Sequence, residues 1–158
     1  RFESRGLGDV YKRQVPSGPP LDMETIIAIL LSIDYALIIG IISGHYLLTY
    51  PTIFQILDDT SAIRFQRKIL TRFFFVLLLF SLLAVLITFL FLERSFIIMA
   101  GVNSSFALVG WLSVPIMNLA RDRNWIKTGS FFEKLTIYLT LSIFIFALTE
   151  IIRISLSN

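Results

Sequence analysis

The chain contains no cysteine and a single histidine, His45. The first absence excludes disulfides, thiolate catalysis and cysteine-based metal centres. The second excludes a histidine-rich metal cluster, and a haem held by two histidines of one chain. There is no Gly-rich phosphate loop, no His-x-x-x-His pair and no Ser-centred nucleophile elbow. The usual ATPase, zinc-peptidase and serine-hydrolase arrangements are therefore set aside, and no metal or cofactor is expected. After Met23 long polar stretches are also scarce, which leaves no room for a separate soluble domain.

What fills that space is apolar. Hydrophobic residues make up 56% of the 158, fifteen of them phenylalanine, and the mean hydropathy is +0.79. Four runs, about 26–48, 73–92, 96–119 and 131–152, each reach the roughly twenty residues that a helix needs to cross the hydrocarbon of a bilayer. The expected fold is all-α: a bundle of four transmembrane helices in up-down order, forming one domain over 23–158. Residues 1–22 read differently. They are polar and lack the apolar core of a signal peptide. Arg5 to Gln14 resembles translated adaptor sequence, so 1–22 is expected to be a non-native or disordered leader, with Met23 as a natural start.

Charge sets the expected orientation. Arg64, Arg67, Lys68 and Arg72 lie between the first two runs. Arg121, Arg123, Lys127 and Lys134 lie around the junction of the last two. Against these eight (4 + 4), the other side offers two, Arg94 and Arg153, once 1–22 is set aside. Cytoplasmic loops collect Lys and Arg. Both termini are therefore expected outside the cytoplasm, in a multi-pass protein of the cell inner (plasma) membrane. The pI near 9.5 reflects these flanking residues and not nucleic-acid binding. Tyr50-Pro51 is expected to end the first helix, and Thr60 or Ser61 to cap the second. Below the membrane, Ala62, Phe65, Ile69 and Phe73 recur at helical spacing. Beside them Arg64, Lys68 and Arg72 form a basic stripe suited to lipid head groups, to a partner, or simply to solvent. The second helix thus has an amphipathic cytoplasmic extension.

Ionisable and amide side chains inside a span are costly, and therefore informative. Asp34 lies within the first run and His45 eleven positions later. Eleven steps of 100° leave a net rotation of about 20° and a separation of about 16 Å, so both share one face without touching. Asn103 and Ser104 reach the depth of Asp34, and Asn118 that of His45. Two polar layers separated by an apolar belt are expected, serving either as a pocket or as ordinary interhelical hydrogen bonding. Ala36, Gly40 and Gly44 form a small-residue face on the first helix, a pattern that supports close packing. Pro115 is expected to bend the third.

The order Gly44-His45-Tyr46, Tyr50-Pro51, a basic segment, then Ser113-Val114-Pro115-Ile116-Met117-Asn118 before a basic loop resembles the anthrone-oxygenase-like family of small four-helix membrane proteins. The resemblance spans about 26–125. It implies cofactor-free oxidation of a hydrophobic aromatic substrate, with His45 and Asn118 as candidate catalytic residues. Three functions are compatible with these readings. The first is a packed bundle serving as an oligomeric or accessory subunit. The second is a membrane oxidoreductase or oxygenase-like enzyme for an aromatic or quinone-like molecule. The third is a proton- or ion-coupled carrier using Asp34. The expected partners are the lipid bilayer, a second copy of the chain and a hydrophobic small molecule.

Overall fold

The computed structural model describes residues 22–90 and 94–157. Residues 1–21, which hold nearly all of the expected leader, and 91–93 of the turn between the second and third runs lie outside the described residues. The described residues form helices only: α1 (Met23–Gly44), a π turn (His45–Thr49), α2 (Tyr50–Ile56), α3 (Asp59–Leu90), α4 (Arg94–Asp122) and α5 (Ile126–Ser157). Four helical stretches are long and apolar enough to cross a membrane: Met23–Ile56, Asp59–Leu90, Phe96–Asp122 and Ile126–Leu156. They pack as a bundle. α1 and α4 each lie against both α3 and α5, and face one another diagonally across the axis.

The distribution of side chains is inverted relative to a water-soluble bundle. Leu79, Leu82, Leu83 and Leu86 of α3, and Leu108, Val109, Leu112 and Ile116 of α4, are all exposed. Asp34, Ser81, Thr88, Asn103, Thr136, Thr140 and Glu150 are buried. Leaving that much apolar surface in water would cost about 25 cal/mol for each Å². In lipid it costs nothing, whereas a helix satisfies its own backbone there. The chain is a small integral membrane protein whose apolar mantle contacts the bilayer. Its interior is held by Ile38, Phe74, Leu77, Val114 and Ile143, together with Ala84, Ala100, Ala107 and Ala147, all fully buried. The alanines allow the close helix approach on which packing in lipid depends.

The ends of the helices differ from the expectations in instructive ways. Pro51 does not end the first crossing. It lacks an N–H, and its ring would crowd the carbonyl of Leu47 in a regular α-helix. The chain widens into the π turn instead, with the Tyr50 N–H bonded to the His45 carbonyl, and continues to Ile56. α3 is capped neither by Thr60 nor by Ser61 but by Asp58, which accepts from the Ser61 N–H at 3.1 Å and from the Thr60 hydroxyl. α5 begins five residues before the expected run. Asn124 takes a left-handed conformation (φ 55°), with Trp125 N–H bonded to Ala120 O and Asn124 N–H to Arg121 O. This is the Schellman arrangement that closes a helix and reverses the chain. α4 runs unbroken through Pro115. Asp22, the last residue of the segment set aside above, caps α1 by accepting from Thr25 N–H at 2.9 Å.

The bonds at the start of α3 hold the Asp58 carboxyl down to about 2, with the Thr60 and Ser61 donors as the cause. A depressed carboxylate contributes stability above its ordinary range and loses it as pH falls through the lowered value. Protection of the Ser61 amide, its exchange relative to a free peptide at the same pH, is therefore expected to hold to about pH 3 and to fall nearer 2. Asp58→Ala should lose that protection at every pH. Equal protection in both proteins would remove Asp58 as the cap.

Candidate functional site

Two polar regions lie along the bundle, one at the end carrying the basic connections and one towards the chain termini. The first is built around the π turn. Inserting a residue into a helical turn re-aims the side chains that follow it, and such turns frequently occur at functional sites. Here it leaves His45 buried, with Tyr46 and Tyr50 reaching a common space. The His45 imidazole stacks on Phe73 with ring centres 4.5 Å apart, and Tyr46 meets it edge-on at 5.1 Å.

That space is a cavity of about 120 Å³ lined by His45, Tyr46, Tyr50, Gln66, Arg67, Arg121, Glu133 and Thr136, with Leu70, Met117 and Ile137 supplying apolar wall. Two ion pairs hold its rim. Arg67 reaches Asp122 at 2.5 Å, joining α3 to α4, and Arg121 reaches Glu133 at 2.9 Å, joining α4 to α5. The Arg67 Nε is buried without a partner. Beside the cavity, α1 and α5 form a groove of about 370 Å³ lined by Ile42, Ser43, Tyr46, Leu47, Ile137, Thr140, Leu141 and Phe144. Tyr46 and Ile137 belong to both. A polar chamber and an apolar trough therefore share a wall.

The second region lies between two contacts that fix the depth of α4 against α5: Phe106 beside Phe146 at 5.8 Å, and the Arg153 guanidinium 4.2 Å above the Phe96 ring. Asn103 and Glu150 both fall between them. Phe74 of α3 meets Gly110 of α4. Ser81 is seven residues beyond Phe74 and Asn103 seven before Gly110, so in antiparallel helices these two share a level as well. From α1, Tyr35 lies within electrostatic reach of Glu150, Asp34 and Arg153. Glu150 is 3.6 Å from Arg153. Both oxygens of Asp34, both polar atoms of the Asn103 amide, the Tyr35, Ser81 and Ser104 hydroxyls and Glu150 Oε2 are buried without a hydrogen-bond partner.

The sequence-derived candidates divide accordingly. His45 lines the cavity; Asn118 does not. Asn118 is half-buried with an unpartnered Oδ1, and its neighbour Met117 forms the wall instead. The structure thus does not bring His45 and Asn118 into one chamber. Asp34, Asn103 and Ser104 are buried in the second region. Arg64, Lys68 and Arg72 remain exposed along α3. Gly40 and Gly44 have nothing near the position of a Cβ, so that face makes no close contact within the chain; the close approach is at Gly110, against the Phe74 ring. Sequence reasoning passed over Arg67, Arg121 and Glu133, reading the arginines as markers of orientation alone. A signal was present for Arg67: it shares a helical face with Leu70 and Phe74, both buried. Among the described residues no group of three or more His, Cys, Asp or Glu side chains is placed to hold a metal ion.

Comparison with protein-family models, with curated proteins and with solved structures gave no match. The class of the protein is accordingly set by its own geometry: a multi-pass membrane bundle with a polar chamber at one end and a buried polar layer towards the other.

Proposed function

We propose that this inner-membrane protein binds a lipid-soluble, amphipathic small molecule of the aromatic or quinone-like kind, with its polar head in the His45 chamber and its apolar body in the adjoining groove. The observation that carries this reading is the shared wall of Tyr46 and Ile137 between the two spaces. Sites that enclose a drug-sized ligand occupy roughly 300–1,000 Å³. The chamber of about 120 Å³ is too small for that but suits a ring or a head group, and the groove of about 370 Å³ suits the remainder. Tyr46, Tyr50 and the His45–Phe73 stack offer ring faces and edges, and the Arg67 side chain in the wall brings a cation to a carbonyl or phenolate oxygen. The resemblance to anthrone-oxygenase-like proteins supports the same ligand class.

In this reading the basic connections face the cytoplasm and both termini face out. Within the chamber His45 is the group that would accept a proton from a phenolic ring. A role as an oligomeric or accessory subunit is favoured separately by the unpacked face at Gly40 and Gly44.

The test is purification in mild detergent, an absorption spectrum, and mass spectrometry of the extracted small molecules. An aromatic or quinone-like compound is expected with the wild type. His45→Ala removes a stacking partner at the chamber and should weaken retention of the compound by about tenfold while the protein stays monodisperse. A clean spectrum with no extractable ligand from the wild type would defeat the binding reading.

A further inference from the structure

The polar layer towards the chain termini is not used by the His45 chamber and stands apart from it by about 16 Å along α1. Its chemistry is oxygen-rich. Asp34 contributes two free oxygens and Glu150 one, and the Tyr35, Ser81 and Ser104 hydroxyls and the Asn103 amide add neutral ones. Tyr35 and Asn103 are each 1% exposed, so neither side chain finds water from outside. Buried polar atoms are paired almost without exception in folded proteins, and a cluster of orphans signals an occupant such as water or an ion.

The formal charges say which kind of occupant. The groups facing this layer from each packed element are Asp34 and Tyr35 from α1, Ser81 and Thr88 from α3, Asn103 and Ser104 from α4, and Glu150 with Arg153 from α5. Arg153 neutralises Glu150 at 3.6 Å. Asp34 has no cationic partner among the described residues. Among the described residues the count is two carboxylates against one guanidinium, one positive charge short. A carboxylate left uncompensated at this depth is strongly disfavoured. A divalent ion would overshoot that deficit and leave a net positive charge buried in its place.

We propose that Asp34, with Tyr35, Asn103 and Ser104 beside it in the layer, forms an intramembrane site for one monovalent cation, a sodium ion or a proton, seated at Asp34. The shared chemistry is a single positive charge among oxygen ligands. A sodium ion draws in several of the orphaned oxygens at once; a proton stays on Asp34 and makes its carboxyl a hydrogen-bond donor towards a neighbouring hydroxyl or amide oxygen. This site is independent of the proposed ligand chamber.

Thermal unfolding of the full chain in detergent separates the sources. One arm titrates sodium chloride against choline chloride at fixed pH and ionic strength. The other lowers the pH in choline chloride alone. A saturable rise in Tm of about 4 °C or more in the first arm identifies sodium; the same rise confined to the second identifies the proton. Asp34→Asn keeps the shape of the side chain and removes its charge, and should abolish whichever dependence the wild type shows. No dependence in either arm, or one that survives Asp34→Asn, overturns the proposal. Should Asp34→Asn fail to fold, two measurements on the wild type decide instead: equilibrium dialysis with radioactive sodium, and the infrared band of a protonated carboxyl group. One bound ion per chain or one buried protonated carboxyl upholds the site, and the absence of both overturns it.

Discussion

Gly110→Val is expected to leave almost no folded protein in detergent, and Gly110→Ala to be destabilised by about 1–3 kcal/mol, the usual cost of overpacking a filled interior. A Cβ at position 110 would run into the Phe74 ring. That ring has nowhere to go: it is fully buried and packs edge-on against Phe73 at 5.4 Å. Phe73 in turn carries the stacked His45 imidazole, so strain at Gly110 should be felt in the His45 chamber. Shortening the obstacle ought to restore space. Gly110→Ala combined with Phe74→Leu is expected to be more stable than the sum of the two single changes predicts, the sign of direct coupling. The measurement is the Tm of the four proteins of this cycle. Strict additivity would mean that α3 and α4 do not meet at this point.

The second large effect concerns the solvent. Leu79 and Leu83 are 50% and 43% exposed on one face of α3, near the middle of its span. Replacing both by arginine should strip the protein from the membrane fraction. Each arginine at mid-bilayer costs about 2.5–3.5 kcal/mol on insertion scales, so the pair costs roughly 5–7, comparable with the whole stability of a small domain. On a water-exposed helix the same pair would be harmless or would improve solubility. Carbonate-washed membranes after high-speed sedimentation distinguish the two, with Leu79→Ile/Leu83→Ile as the control. The isoleucine control is expected in the washed pellet; a control and a folded double-arginine variant both found in the supernatant would show that the leucine face meets water.

How much of this was legible in the sequence follows from which physical signals are local. Long apolar runs gave the four crossings, because the length needed to span the hydrocarbon is a property of each segment alone. The depth of Asp34, Asn103 and Ser104 was legible for a similar reason: rise per residue converts position into height. Height is not direction. Asn118 reaches the level of His45, yet Met117 faces the chamber, since the face that α4 presents is fixed by its packing on α3 and α5. Tyr35 was hidden in an apolar run beside the more conspicuous Asp34. Glu150 sits near the end of the last run with Arg153 three residues on, and only the packing of α1 on α5 shows that Tyr35 lies within its reach. Boundaries failed where one residue had two credible roles. Pro51 usually stops a helix but is here absorbed by a wider turn, and Asp58 takes over the capping expected of the hydroxyls after it.

The continuation of the first crossing past Pro51 carries a consequence for how the chamber is loaded. Met23–Ile56 is 34 residues, about 51 Å of helix, against some 30 Å of hydrocarbon. His45 sits about 33 Å from the start of α1, at the boundary where acyl chains give way to head groups. For the ligand proposed above, a molecule dissolved in the near leaflet would slide in sideways between α1 and α5 without traversing the electric field across the membrane. Its occupancy would then follow partitioning into that leaflet and be indifferent to voltage.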